Sequence, residues 1–217
     1  MAIRGVLWDL DGTLLDTLGD LTDAVNATMA HYGCPPRSPR EVRRFLGNGA
    51  GRLIALSLPG LPTDPPFAEV LAWYARYYDA HCRIKTAPYP GIPQALEALK
   101  AAGLQMAILT NKPDPTAKAL RAEFFPETMA FAQGESPDCP RKPDPAMVLR
   151  AMDELKLKPE ETVYVGDSEV DLATARAAGL PCFSVLWGFR DREDLVQAGA
   201  SVLCATPEEL KERILHG

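Results

Sequence analysis

The sequence predicts a doubly wound, Rossmann-like α/β core, a mainly parallel sheet with helices on both faces, carrying an inserted α-helical cap. Three observations lead there. From about Ile92 onward, short apolar runs alternate with helix-period segments, and parallel strands need right-handed helical crossovers to connect them. One apolar run, Ile3 to Trp8, stands alone ahead of that alternation. Between the two, the stretch from Asp16 to about Lys85 reads as helical throughout, with no strand signal. The boundaries drawn on this basis are 1–15 and 87–217 for the core and 16–86 for the cap.

Taken in order, Ile3-Arg4-Gly5-Val6-Leu7-Trp8 is short, apolar and followed by a Gly12-Thr13 turn, which suits a buried strand ending at Asp9. Leu18, Leu21, Val25, Met29 and Tyr32 recur at intervals of three and four, an amphipathic helix that Gly33 can terminate. Ser38-Pro39-Arg40-Glu41 reads as a capping box with proline at the first helical position. Phe67, Val70, Leu71, Tyr74, Tyr77, Tyr78 and His81 return to helical spacing. The three tyrosines are read as cap packing and His81 as a helix-face residue. After the turn-prone connector Pro88-Tyr89-Pro90-Gly91 come helix Ile92–Ala102, strand Leu104–Leu109, helix Pro115–Glu123 and a short strand near Met129–Ala132. Helix Pro145–Leu155, strand Thr162–Val165, helix Leu172–Ala178, strand Pro181–Leu186 and a terminal strand and helix complete the chain.

Composition bounds the function. At 217 residues, 47% hydrophobic and 24% charged, the chain has ordinary globular usage and room for one core domain plus a substantial insertion. A formal charge of −6 disfavours nucleic acid and anionic membranes, which need a basic face to displace counterions. No apolar run approaches the ~20 residues that span a bilayer, and Ala2 to Asp9 is too poor in apolar residues for a signal peptide. Cys34, Cys82, Cys139, Cys182 and Cys204 are odd in number and lack any Cys-x-x-Cys pair. They read as reduced thiols of a cytoplasmic protein, monomeric or homodimeric.

In a doubly wound sheet, ligands bind beyond the carboxyl ends of the strands. Three such endings share a polar character: Asp9-Leu10-Asp11-Gly12-Thr13, Thr110-Asn111-Lys112, and Gly166-Asp167-Ser168-Glu169-Val170-Asp171. A fourth polar piece, Arg141-Lys142-Pro143-Asp144-Pro145, precedes a helix. If these meet at one edge, the carboxylates of Asp9, Asp11, Asp167 and Asp171 crowd together, which is costly unless cations compensate. Lys142 is one cation. An oxygen-only ligand set makes Mg²⁺ the natural other, because this hard ion keeps several waters and shares its remaining positions with a phosphate.

The four pieces closely resemble, in the correct order, the four motifs of the haloacid dehalogenase superfamily. The Thr-Asn-Lys-Pro and Lys-Pro-Asp-Pro wording resembles its phosphoglycolate phosphatase branch, which carries a helical cap after the first motif. The resemblance implies that Asp9 is a nucleophile that becomes an aspartyl-phosphate. It implies that Asp11 protonates the leaving oxygen and later activates water. Mg²⁺ would be held by Asp9, by the main-chain carbonyl of Asp11 and by Asp167, with Asp171 supporting the metal or Lys142. Thr110 and Lys142, with backbone N–H groups around Leu10 and Asn111, would receive phosphoryl oxygens. An acid at position 11 separates the chain from the dehalogenase branch (tyrosine) and the phosphonate-cleaving branch (a small residue). Thr13 stands where the mutase branch usually has an apolar residue.

Gly47-Asn48-Gly49-Ala50-Gly51-Arg52 reads as a flexible loop facing substrate, and the branch resemblance makes Asn48 and Arg52 candidates for gripping a substrate carboxylate. Trp187-Gly188-Phe189-Arg190 follows a strand and borders the predicted edge, with Arg190 read as a solvated loop residue. The cap is expected to close over the site, with hinges at Leu14–Thr17 and Pro88–Gly91. The predicted partner is a small phosphomonoester, 2-phosphoglycolate first and a sugar phosphate, nucleotide or pyrophosphate as alternatives. A phosphometabolite-binding module without turnover is the reading from another class. The presence of both Asp9 and Asp11 weighs against it.

Overall fold

The structure, a computed structural model, describes residues 2–60 and 64–217. Its elements run β1 (Gly5–Trp8), β2 (Leu15–Asp16), α1 (Leu18–His31), α2 (Pro39–Phe45), α3 (Gly49–Ser57), α4 (Phe67–His81) and β3 (Ala87–Pro88). The alternating half follows: α5 (Ile92–Ala101), β4 (Gln105–Pro113), α6 (Asp114–Phe124), β5 (Ala132–Glu135), α7 (Ala146–Leu155), β6 (Thr162–Gly166), α8 (Glu169–Ala177) and β7 (Cys182–Val185). The chain finishes with α9 (Arg192–Gln197), β8 (Val202–Cys204) and α10 (Pro207–His216). Two compact units result, Met1–Leu15 with Pro88–Gly217, and Asp16–Ala87.

In the first unit six strands form one parallel sheet in the order β5-β4-β1-β6-β7-β8. The chain starts at the centre, builds one side through β4 and β5, then returns to build the other. All four residues of β1 are buried, because it has a strand on each edge and side chains covered on each face. On one face Leu7, Ala107, Leu109 and Tyr164 pack against Met147, Val148, Ala151 and Met152 of α7 and Ala175 of α8. Each large apolar side chain buried this way contributes about 1.5–3 kcal/mol, and the layer anchors the strand ends that carry the polar motifs.

Several elements differ from the expectations. The strand expected at Met129–Ala132 is β5, further along. Backbone bonds to β4 already begin at Ala130, whose N–H donates to the Met106 carbonyl at 2.8 Å, but residue-for-residue pairing starts only at Ala132. α8 begins at Glu169 rather than Leu172, because Ser168 and Asp171 form a capping box around its first turn. α9 was not anticipated. It is six residues long with Leu195 as its only buried residue, too short for a hydrophobic period. Two-residue strands β2 and β3, which pair with each other, were also missed.

In the second unit α1 packs against α4 and α2. The capping box at Ser38 is present, with the Glu41 carboxylate receiving the Ser38 N–H at 2.8 Å. Tyr74 and Tyr78 are buried packing residues, as expected, while the half-buried Tyr77 stacks between Trp73 and His81. No helix among the described residues is long and apolar enough to cross a membrane, and all five cysteines are free thiols.

One buried charge organises the end of this unit. The Asp20 carboxylate, 2% exposed, accepts from the backbone N–H groups of Ile84, Lys85 and Thr86 and from the Thr86 hydroxyl, at 2.8–3.1 Å. Charge-assisted hydrogen bonds are worth more than neutral ones, and losing the shared acceptor leaves several donors unpaired. Asp20→Ala is therefore expected to cost about 2–4 kcal/mol in urea denaturation. A loss below about 0.5 kcal/mol, the size of an ordinary surface substitution, would show that water replaces the carboxylate without penalty.

Candidate active site

The polar endings converge at the carboxyl edge of the sheet, around the central strand. Asp9 leaves β1 with its N–H bonded to the Val165 carbonyl of β6 at 2.8 Å. The loop that follows closes on the Leu10 carbonyl, which accepts from the N–H groups of Thr13, Leu14 and Leu15. Lys142, 3% exposed, reaches into this edge from the segment before α7. Its ammonium donates to Asp9 Oδ1 at 2.6 Å, Asp171 Oδ1 at 2.8 Å, the Tyr164 hydroxyl at 2.9 Å and the Leu109 carbonyl at 3.1 Å. The Asn111 side chain clamps the lysine's main chain, accepting from the Lys142 N–H at 2.7 Å and donating to its carbonyl at 3.1 Å.

The acidic side is equally well fastened. Asp171 has both carboxylate oxygens engaged. Oδ1 receives Lys142 and the Tyr164 hydroxyl, and Oδ2 receives the Ser168 N–H and hydroxyl at 3.1 and 2.6 Å. Asp167 Oδ2 accepts the Phe189 N–H at 2.6 Å. Among the described residues, Asp9, Asp167 and Asp171 can each offer an oxygen within 4.8 Å of the others, close enough to share a cation.

Burial, reinforced by the charge of Asp171, pushes the Asp9 carboxyl well above its ordinary value, and Lys142 only partly opposes this. The same causes push Asp167 up to about 7. Burial works against the charge of Lys142, but Asp171 and Asp9 outweigh it and hold the ammonium well above its usual range. Burial also raises the Tyr164 phenol.

Of the predicted residues, Asp9, Thr110, Asn111, Lys142, Asp167 and Asp171 are buried together at this edge, with Leu10 in the first loop. Asp11 lies at its rim, 22% exposed, with its carboxylate 3.0 Å from the Lys112 ammonium. Asn48 and Arg52 lie in the second unit, where the expected loop is largely helix. Asn48 is the N-cap position of α3 and Arg52 sits in its early turns. Leu53 and Ile54 are buried, and their burial outweighs the ~1 kcal/mol that each glycine costs a helix. Arg190 is not solvated: its guanidinium donates to Glu169 at 2.7 and 2.9 Å, and its side chain is 12% exposed.

Sequence reasoning gave no role to Lys112, Tyr164 or Ser168, and placed the 187–189 loop at the edge without its partners. Trp187 Nε1 donates to the Thr13 carbonyl at 3.0 Å, which ties this loop to the loop after β1. Gly188 lies so close that a Cβ would collide with the Asp167 side chain and the Gly12 carbonyl. Two of these were detectable: Lys112 immediately follows the Thr110-Asn111 pair, and Ser168 with Asp171 has capping-box spacing.

Comparison with known proteins agrees with this geometry. The sequence pattern of the haloacid dehalogenase-like hydrolases matches residues 6–185. A phosphoglycolate phosphatase of Thiobacillus denitrificans is 36% identical over 87% of this chain and 86% of its own length. An N-acetylmuramic acid 6-phosphate phosphatase of Pseudomonas aeruginosa is 34% identical over 97% and 94%. A crystal structure from Lactobacillus delbrueckii subsp. bulgaricus, provisionally named a phosphoglycolate phosphatase, superposes with a TM-score of 0.92 at 32% identity, covering 100% of both chains. The chain belongs to the haloacid dehalogenase-like hydrolases and is an enzyme of their phosphoglycolate phosphatase-like, phosphoric monoester hydrolase kind.

Proposed function

We propose that the protein hydrolyses a small phosphomonoester, with 2-phosphoglycolate the first candidate, by transferring the phosphoryl group to Asp9 and then to water. The observation that carries this is Asp9 itself, a buried carboxylate at the sheet edge with a lysine ammonium 2.6 Å from one oxygen and two further aspartates alongside. A sugar phosphate is the second reading, favoured by the similarity to the N-acetylmuramic acid 6-phosphate phosphatase.

Charge balance supports a divalent cation. Among the described residues, Asp9, Asp11, Asp167, Asp171 and Glu169 meet Lys112, Lys142 and Arg190, five negative charges against three positive, which leaves two in excess when all are ionised. Oxygen-only donors fit Mg²⁺. Asp9 and Asp167 with the Asp11 carbonyl would hold it. Asp171, with both oxygens already bonded, serves chiefly to hold Lys142. When bound, the ion would offset carboxylate charge and withdraw charge from the phosphoryl oxygens.

In the first half-reaction an Asp9 oxygen bonds to phosphorus, the ester P–O bond breaks, and the leaving oxygen takes a proton from the Asp11 carboxyl. In the second, water adds to phosphorus, Asp11 takes its proton, the P–O bond to Asp9 breaks and inorganic phosphate leaves. Lys142 and the Thr110 hydroxyl, with N–H groups of Leu10 and Asn111, stabilise the phosphoryl oxygens as charge shifts. Asn48 and Arg52 are proposed to hold a substrate carboxylate.

The direct test is phosphate release from an aryl phosphate and from a panel containing 2-phosphoglycolate and N-acetylmuramic acid 6-phosphate. Activity should require Mg²⁺, vanish with EDTA, and fall by at least about 10⁴-fold in Asp9→Asn, since the nucleophile is lost. Turnover that survives in Asp9→Asn would sink the covalent mechanism, and tight binding without turnover would favour the binding module.

A pH dependence follows from Asp167. Its folded value of about 7 lies above that of an unfolded aspartate, so the folded state holds the proton more tightly. This contribution is complete below the unfolded value and is lost as pH rises to about 7. Asp9 acts in the same direction. Metal-free protein should therefore melt lower at pH 8 than at pH 5 by virtue of these groups, and Mg²⁺ should raise Tm more at pH 8. Calorimetry with EDTA and with Mg²⁺ checks this, and a larger Mg²⁺ shift at pH 5 would contradict it.

Gly188→Ala should weaken Mg²⁺ by displacing Asp167, by about tenfold or more, as losing a ligand's support does elsewhere. Titration calorimetry of Mg²⁺ measures it, and unchanged affinity would remove the 187–189 loop from the site.

A further inference from the structure

Lys112 belongs to the Thr-Asn-Lys-Pro run but carries none of the roles given above, and β4 is distorted where this lysine lies. β4 and β5 are in register at Ile108–Ala132 and Leu109–Gln133, and the next matched pair is Pro113–Glu135. Residues 110–112 of β4 thus face the single residue Gly134 of β5, a bulge. At Gly134 a Cβ would lie 2.5 Å from the Lys112 carbonyl oxygen and 2.6 Å from Asp114 Cα, so only glycine closes it without a shift. The Gly134 N–H is held by Asp114 Oδ1 at 3.0 Å. Thr110, Asn111 and Lys112 are all buried at this bulge, continuing the run of buried residues that starts at Met106.

The distortion ends with the Lys112 ammonium 3.0 Å from Asp11 Oδ1, the lysine side chain 6% exposed. Ordering and desolvating a lysine is costly, and the counter-charge of Asp11 offsets part of that cost. We infer that Lys112 is a positioning residue for the acid–base step, fixing the Asp11 carboxyl group through Oδ1 so that Oδ2 carries and returns the proton. The inference rests on the proposed phosphatase reading. Lys112 can stay bonded to Oδ1 whether or not Oδ2 is protonated, so one contact serves both half-reactions. Loss of that contact removes a charge-assisted restraint on rotation about the Cβ–Cγ bond, and proton transfer loses part of the alignment that makes it effective.

The test separates proton donation from everything else. Leaving groups that are already stable as anions need little protonation, and kcat/KM reports events up to their departure. Lys112→Met should lower kcat/KM for an alkyl phosphomonoester by roughly 10²-fold while changing that for p-nitrophenyl phosphate by less than about threefold. Lys112→Arg should recover most of the alkyl activity. In an Asp11→Asn background, Lys112→Met should add no further loss on the alkyl substrate. Equal losses on both substrates, or losses that multiply in the double variant, would overturn the inference and make Lys112 a phosphoryl or structural residue. A KM increase confined to carboxylate-bearing substrates would overturn it in favour of substrate binding. Should Lys112→Met fail to fold by circular dichroism, Lys112→Gln is the second variant, with the same split expected at smaller size. An inactive wild-type protein overturns the phosphatase reading and this inference with it. Active wild type with an unsplit Lys112→Met overturns the inference alone.

Discussion

The Lys142 ammonium is the contact on which the site depends. It is buried among Asp9, Asp171, the Tyr164 hydroxyl and the Leu109 carbonyl, and so joins β1, β4, β6 and α8 through one atom. Removing one partner from such a buried pair leaves an uncompensated charge and costs about 3–5 kcal/mol. The arrangement is therefore self-consistent: the carboxylates keep the lysine charged, and the lysine keeps two of them tolerable. It does not neutralise the edge, where Asp9, Asp167 and Asp171 lie close enough to share a cation.

Around that contact lies a layer of hydrogen bonds that fixes the site side chains in place. Asn111 grips the Lys142 main chain, Ser168 caps α8 while holding Asp171, and the Phe189 N–H holds Asp167. Trp187 ties the loop after β7 to the loop after β1. These links place four chain segments against one another with short hydrogen bonds, and preorganisation of this kind keeps reorganisation out of the chemical step. The β4 bulge belongs to the same layer, since it trades regular ladder pairing for the placement of Lys112.

Legibility differed by residue, for physical reasons. The Asp9 strand, the Ser38 capping box and the helix Phe67–His81 were readable because local periodicity and capping chemistry specify them. α8 starts three residues before the expected Leu172 because Ser168, and not Asp171, is its N-cap residue, with Asp171 closing the capping box from the third helical position. The Gly47–Arg52 segment was misread because its glycines suggested a loop, while burial of Leu53 and Ile54 favours helix. Arg190 was misread because its partner, Glu169, lies on another element.

The alternation of strands and helices, the helical insertion, and the acidic and basic residues that end the strands are legible in the amino acids alone, because they are written in period, turn chemistry and motif order. Which polar groups meet depends on the folded chain: Lys142 with Tyr164, Lys112 with Asp11, Phe189 with Asp167. Those pairings join residues distant along the chain. They depend on sheet register, on a bulge and on a close approach at Gly188, none of which leaves a periodic trace in the order of amino acids.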